Sequence, residues 1–569
     1  MQDELTAGRQ TNGVCGRLRH HHRHWNNTRC TRPTHLPGPS SMSARPVPLR
    51  IHARTHACCA SFSGRTPLAA RARSAITTTV ACIDMAPRGN DVFPVLQACN
   101  KIGTSQTLFD VRFWPYGTGD DEHVFALTGG TATCVYRTRR GADPPFELLR
   151  HMNDEVEPHA TPASLNSLAW TEDPVTRTPW LCVAGDGQHH IKILDFESGK
   201  AARTLPGHGK SINDLAVSPT TPSLLASASN DYTIRLWDLR PAYQAQPCVA
   251  ILADGHRAPV LAIKFHPNGR WLISGGIDTA ICLWSIPPLG EGEADSDWGT
   301  ASIPLTIQLP HFFTKELHPN YVDSLDFYGD LILSKAARDQ TDAKKHRYAN
   351  EILLWKIHGF DADEPPSERL PVQEAGKYTG SAFPHDEEYR AFSRLLTLDI
   401  PHTDRFYHRF GFFHDEGKRP VLCMGDQMTR FSFWDLQRFE EGIDPLDRPS
   451  MQPRNKAGRK KKKKGPDVLG ELRRNESGAS SASGQTPETS STGASSTTAP
   501  ESREYTLSDR FTPLAPHYRV TANTELPSVG GKISHFATSQ IAWSPDGTWM
   551  VTVGDHGMIC LFHRDESVT

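Results

Sequence analysis

Between residues 91 and 566 apolar and polar positions alternate in short runs, and Gly, Pro, Asp and Asn punctuate the runs. Alternation with a period of two predicts strands, and the punctuation predicts tight turns between them. The pattern also repeats. Its clearest copy starts at Gly207-His208, runs through Ile212–Val217 and Leu224–Ser229, and ends at Ile234-Arg235-Leu236-Trp237-Asp238. A second copy follows, with Gly255-His256, Val260–Phe265, Leu272-Ile273-Ser274, Asp278 and Ile281-Cys282-Leu283-Trp284. The two Trp are one repeat apart, close to the period of about 40–45 residues typical of four-stranded propeller blades.

Weaker copies bring the count to seven. Leu108–Trp114 leads to Cys134-Val135-Tyr136, Leu165–Trp170 to Ile191–Asp195, and Tyr321–Phe327 to Ile352–Trp355. Phe410–His414 leads to Phe431–Asp435, and Ile541–Gly547 to Ile559–Phe562. A single four-stranded unit cannot bury both of its faces, whereas seven arranged around an axis bury them against one another and leave only short edges. The expected fold is all-β: a seven-bladed WD40 β-propeller, with blades 1–6 in 91–437 and the last in 531–566. Phe93–Lys101 is expected to supply the outer strand that closes the ring.

The repeat carries its own chemistry. His208, Ser229, Asp231 and Trp237 match the hydrogen-bonded chain of WD40 blades, and His256, Asp278 and Trp284 recur in the next copy with Gly276 at the Ser position. A Ser, a His and an Asp in one unit suggest catalysis. Their repetition, capped each time by Trp, instead fits a buried network that stiffens a blade once every donor finds an acceptor. No Gly-rich phosphate loop, HExxH or nucleophile elbow occurs. No enzyme, no cofactor and no functional metal site is expected; His20-His21-His22-Arg23-His24 lacks ligands held apart by structure.

Other segments match more than a generic repeat. His311-Phe312-Phe313-Thr314-Lys315-Glu316-Leu317-His318-Pro319-Asn320-Tyr321-Val322-Asp323, continued by Gly329–Lys335, resembles the EED/extra sex combs family, the WD40 subunits of the Polycomb repressive complex. Gly207–Leu215 and Met424-Gly425-Asp426-Gln427 leading to Phe433–Leu436 also resemble it, and the likeness spans about 94–437 and 533–564. The resemblance implies a non-catalytic scaffold for a SET-domain histone methyltransferase, whose N-terminal helix wraps the lower face. It also implies an upper mouth that binds a trimethyl-lysine peptide of the histone H3 tail. The family's aromatic cage matches Phe109, Phe406 and Tyr407, while its fourth aromatic falls at Asn166. Simple blade packing of Phe109 and Phe406 is the competing reading.

Composition refines this picture at the ends and inserts. Net charge is −2, which gives no general case for nucleic acid or membrane. Residues 1–90, however, hold thirteen Arg, no Lys and three acids. They read as a disordered basic extension or, second, as a transit peptide, and Met85 offers an alternative start. Pro287–Ile303 and Phe360–Ile400 read as acidic surface loops. Residues 438–530 read as a long disordered insertion before the last blade, with a Ser/Thr-rich tract from Ser477 to Ser502. Within it Arg459, Lys460, Lys461, Lys462, Lys463 and Lys464 read as a nuclear-localisation signal, a weak DNA contact or a solvated linker. The resemblance favours nuclear import. Twelve Cys without a CxxC pair point to a reducing compartment, and no run is long and apolar enough for a membrane helix. Trp237-Asp238-Leu239-Arg240 supports one alternative, the WDxR box of cullin-type ubiquitin-ligase receptors; a generic signalling scaffold is another.

Overall fold

The computed structural model describes residues 92–102, 106–117, 122–153, 164–187, 189–287, 303–337, 350–372, 376–386, 390–441, 510–522, 526–528, 531–533 and 535–565. The extension 1–90 with its His run, and the basic run 459–464, lie outside the described residues.

Among the described residues seven sheets, each built on four antiparallel strands, follow one another around a ring. Their innermost strands are Asp110–Phe113, Ser164–Glu172, Ile212–Val217, Val260–Phe265, Val322–Tyr328, Gly411–Phe413 and Thr538–Trp543. Within each sheet the chain steps outward through hairpins. The seventh sheet is closed by the first strand of the fold, Val95–Lys101, which pairs antiparallel with Met558–His563. This is the latch that the sequence suggested. Phe93, just before it, stacks on Tyr518 of the sixth blade at 5.6 Å.

The core lies between blades rather than within them. Among the described residues there are seven apolar clusters, each drawn from two neighbouring sheets. One joins Val551, Ile559 and Leu561 of the last blade to Val111, Phe125 and Leu127 of the first, so the ring closes through packing as well as through the latch. Inward-pointing carboxylates tie neighbours together. Asp110 accepts from the backbone N–H of Leu168 at 3.0 Å, and Asp214 from that of Ile263 at 2.9 Å. Each bond satisfies a buried donor that the curved sheet edge would otherwise strand.

The inserts differ from expectation. Phe360–Ile400 is not a surface loop throughout: Phe392–Asp399 forms the outer strand of the fifth blade against Glu351–Ile357, while Phe360 and Phe383 enter the core. Nor does 438–530 lie wholly outside the ring. Leu436–Glu440 is helical, Tyr518–Thr521 is the outer strand of the sixth blade, and Leu526–Ser528 pairs with Gly531–Ile533. Three inserted segments add to outer edges. Leu305–Ile307 pairs with Cys248–Leu252, Thr379–Ser381 with Phe312–Thr314, and Leu514 bridges to Leu398. Covering an edge removes a row of unpaired backbone groups that could recruit another chain. No helix among the described residues is long and apolar enough to cross a membrane.

Candidate functional site

Every innermost strand enters the channel from the same end, so the connections preceding them build one mouth of the ring. At this mouth the second or third residue of five innermost strands is bulged, as shown by register breaks at Leu165/Ser167, Ile212/Asp214, Val260/Ala262, Val322/Ser324 and Thr538/Gln540. A bulge breaks the in–out alternation and re-aims the extra side chain. Asn166 and Asn213 both sit at such breaks, and both point to the same tyrosine.

That tyrosine, Tyr407, precedes the sixth blade and holds a left-handed backbone, φ 62°, which a bulky residue adopts only when its surroundings impose it. Its hydroxyl receives Nδ2 of Asn166 at 3.3 Å and donates to Oδ1 of Asn213 at 3.3 Å. Phe109 meets its ring edge-on at 5.8 Å between centroids, Phe406 lies at 4.2 Å, and the Arg409 guanidinium is 5.8 Å from its centroid. Burial pushes the Tyr407 phenol up to about 12, so it remains a neutral donor. Asn166 is buried and Phe406 is 40% exposed. The structure therefore brings Phe109, Asn166, Phe406 and Tyr407 together from three blades: three aromatic rings, packed edge-on, and one carboxamide.

Below this group Arg409 crosses the channel axis. From the sixth blade it reaches Asp214 of the third at 2.8 Å and the Leu261 carbonyl of the fourth at 2.9 Å. Nearby Lys335 and Asp323 form a fully buried pair at 3.0 Å. Beyond Arg409 the channel holds a cavity of about 320 Å³, lined at its far end by Lys264, Asp326, Phe413, Trp543 and Pro545. Charge-paired polar groups thus plug the ring between its two mouths.

The blade networks run through different serines than expected. In the third blade His208 Nδ1 meets Asp231 at 2.9 Å, His208 Nε2 meets Ser227 Oγ at 2.7 Å, and Trp237 Nε1 donates to Ser227 Oγ at 2.8 Å. Ser229 instead donates to the Ser211 carbonyl at 2.9 Å. In the fourth blade Ser274, not Gly276, joins His256 and Trp284, and Asp278 completes the set at 3.1 Å. That network is as full as its neighbour. A third chain, missed in sequence, links His318, Ser334 and Trp355 without an acid. Its signal was the Trp of the repeat, obscured by the longer hairpin between Ser334 and Trp355. The direction of the chain follows from proton counting. Each Ser hydroxyl accepts from the indole and spends its one proton on the imidazole, whose other nitrogen then donates to the acid where there is one. Burial keeps the His208 imidazole below its usual range. Burial alone would raise Asp231, but its bonds from His208, Thr233 and Gly209 hold it well below the ordinary carboxylate range. Ser, His and Asp are thus spent on one another, and none faces an open cleft.

The Trp237-Asp238-Leu239-Arg240 box is accounted for within the blade. Arg240 closes on Asp238 at 2.7 Å and its guanidinium lies 5.3 Å from the Tyr243 ring. Among the described residues no group of three His, Cys, Asp or Glu could hold a metal.

Fold and mouth together define a seven-bladed WD40 propeller with an aromatic cluster at one mouth. The WD domain, G-beta repeat family matches residues 199–238, 246–285 and 531–563. The chain is 37% identical over 345 residues to Polycomb protein EED of Chaetomium thermophilum, covering 58% of this chain and 57% of that protein. It is 28% identical to Polycomb protein esc of Drosophila melanogaster, covering 58% of this chain and 70% of that one. Among solved structures, a chain of Chaetomium thermophilum Polycomb Repressive Complex 2 bound to GSK126 superposes with a TM-score of 0.64 at 29% identity, covering 83% of this chain and 98% of that chain. A further neighbour of TM-score 0.63 and 28% identity comes from the same complex with H3K27me3. The chain is thus similar to EED/extra sex combs proteins over 58% of its length. It spans little more than half the length of the first of these relatives.

Proposed function

We propose that this protein is the non-catalytic WD40 scaffold of a nuclear, Polycomb-type histone H3 methyltransferase complex, and that its upper mouth reads methylated lysine. The observation that carries the reading is the convergence of Phe109, Phe406 and Tyr407 at one mouth of a ring whose solved neighbours are Polycomb Repressive Complex 2 chains. A methylated ammonium offers few or no hydrogen-bond donors, so selective capture relies on ring faces, whose quadrupoles attract the cation. The opposite mouth, with its mixed Lys264, Asp326 and Trp543 lining, is the surface assigned to the N-terminal helix of the SET-domain subunit. The basic run Arg459–Lys464 is assigned to nuclear import, with weak DNA contact as a secondary role.

Affinity purification tests the scaffold: a SET-domain methyltransferase should co-purify, and recovery of a cullin adaptor in its place refutes it. Peptide titration tests the reader. Methylated histone H3 peptides should bind tighter than unmodified ones, and Tyr407→Ala should abolish the difference.

A further inference from the structure

The fourth wall of the cage is a carboxamide, and its orientation is fixed by its neighbours. Asn213 Nδ2 donates to the Val260 carbonyl at 2.7 Å, and a carbonyl can only accept. Asn213 Oδ1 is therefore the atom that faces Tyr407. With no proton of its own, it must receive the tyrosine's single hydroxyl proton. The tyrosine oxygen then has only lone pairs left for Asn166, which must present Nδ2. Asn166 Oδ1 is left over: buried, beside the cage tyrosine and without a partner. A buried acceptor without a partner at a binding site is an offer to a ligand donor.

We propose that Asn166 makes dimethyl-lysine, rather than trimethyl-lysine, the preferred ligand of this cage. The inference rests on the reading of the mouth as a methyl-lysine site. A dimethylammonium carries two methyls for the ring faces and one N–H, matching the single free acceptor one to one. A trimethylammonium has no N–H; it sets a methyl against Oδ1, a contact far weaker than a charge-assisted hydrogen bond. A monomethylammonium satisfies Oδ1 but brings a second N–H for which three aromatic rings provide no acceptor. Entry requires ring movement, since Phe406 and Tyr407 lie only 4.2 Å apart. Phe406, 40% exposed, is the ring free to swing and uncover the pair behind it.

The test is calorimetric titration of the full chain with one histone H3 peptide in unmodified, mono-, di- and trimethylated forms. The dimethyl peptide should bind at least about threefold tighter than the trimethyl peptide. Asn166→Phe, which replaces the acceptor with a fourth ring, should reverse that order. The near-isosteric Asn166→Leu, which removes the acceptor without adding a ring, should erase the dimethyl preference, which guards against a misfolded Phe variant. Equal affinities, or a trimethyl preference in the unaltered protein, overturn the proposal while leaving the cage intact. Failure of every methylated peptide to exceed the unmodified one overturns the cage itself, and this proposal with it.

Discussion

Asp231→Ala is the sharpest test of whether the His, Ser and Asp of the third blade are structural. The carboxylate accepts from His208 Nδ1 at 2.9 Å, Gly209 N at 2.9 Å, Thr233 N at 3.0 Å and Thr233 Oγ1 at 2.7 Å. The last three donors are near the surface and can turn to water at little cost. His208 cannot, because its side chain is fully buried. A stranded buried donor costs about 1–3 kcal/mol, and losing a charged acceptor of several bonds adds about 1 kcal/mol more. The expected loss is therefore about 2–4 kcal/mol, a fall in melting temperature on the order of 3–5 °C for a ring of this size. Urea titration followed by tryptophan fluorescence measures it directly. Asp231→Asn, which keeps an acceptor oxygen, should recover part of the loss. A variant within about 1 kcal/mol of the parent that has nonetheless lost an activity would refute the structural assignment.

Three further outcomes follow from the same geometry. Ser227→Ala removes the acceptor of Trp237 and should cost about 2–3 kcal/mol, while Ser229→Ala, which loses its bond to the Ser211 carbonyl and its bond from the half-buried Asp231 N–H, should cost about 1 kcal/mol; denaturant midpoints compare them. Burial holds His318 and His408 at about 3, below the unfolded value, so their contribution is full above pH 6.5 and drains away as pH falls toward 3. Replacing His318 by Gln should flatten the slope of stability against pH between 6.5 and 4 by about 1.4 kcal/mol per unit, read from melts across that range. Deleting 445–505 should move stability by less than about 1 kcal/mol, whereas extending the deletion through 528 removes the outer strand Tyr518–Thr521 and should cost several kcal/mol, as chemical denaturation would report.

The period of the repeat was legible because it is a statement about faces. Alternation says which side of a strand is buried, and seven copies of that alternation leave a closed ring as the arrangement that buries them all. The latch Val95–Lys101 was legible for the same reason. The serine of the network was not. Ser227 and Ser229 share one face of Leu224–Ser229, so a period of two cannot choose between them. The choice is made by register: Trp237 lies opposite Leu225, which makes Ser227 its diagonal neighbour and puts Ser229 a full pair too far along. The outer strands of the fifth and sixth blades were hidden differently. Phe392–Asp399 and Tyr518–Thr521 stand far along the chain from the hairpins they complete, beyond inserts whose composition reads as loop.

The mouth shows a third kind of gap between sequence and site. Phe109 and Tyr407 were found by likeness to a family, but the contacts of Asn166 depend on a bulge, which adds one residue to a strand and leaves no mark in the hydrophobic pattern. Without the bulge the alternation of Leu165–Trp170 would turn Asn166 and Ser167 to opposite faces. With it, Ser167 reaches Asp214 at 3.3 Å while Asn166 reaches Tyr407. An apolar-to-polar change at an ordinary inward position would be a defect to be buried at a cost. At this bulge the carboxamide has one end satisfied by the cage tyrosine and the other unfilled, so the residue that breaks the family's aromatic pattern is also the one placed to alter what the mouth selects.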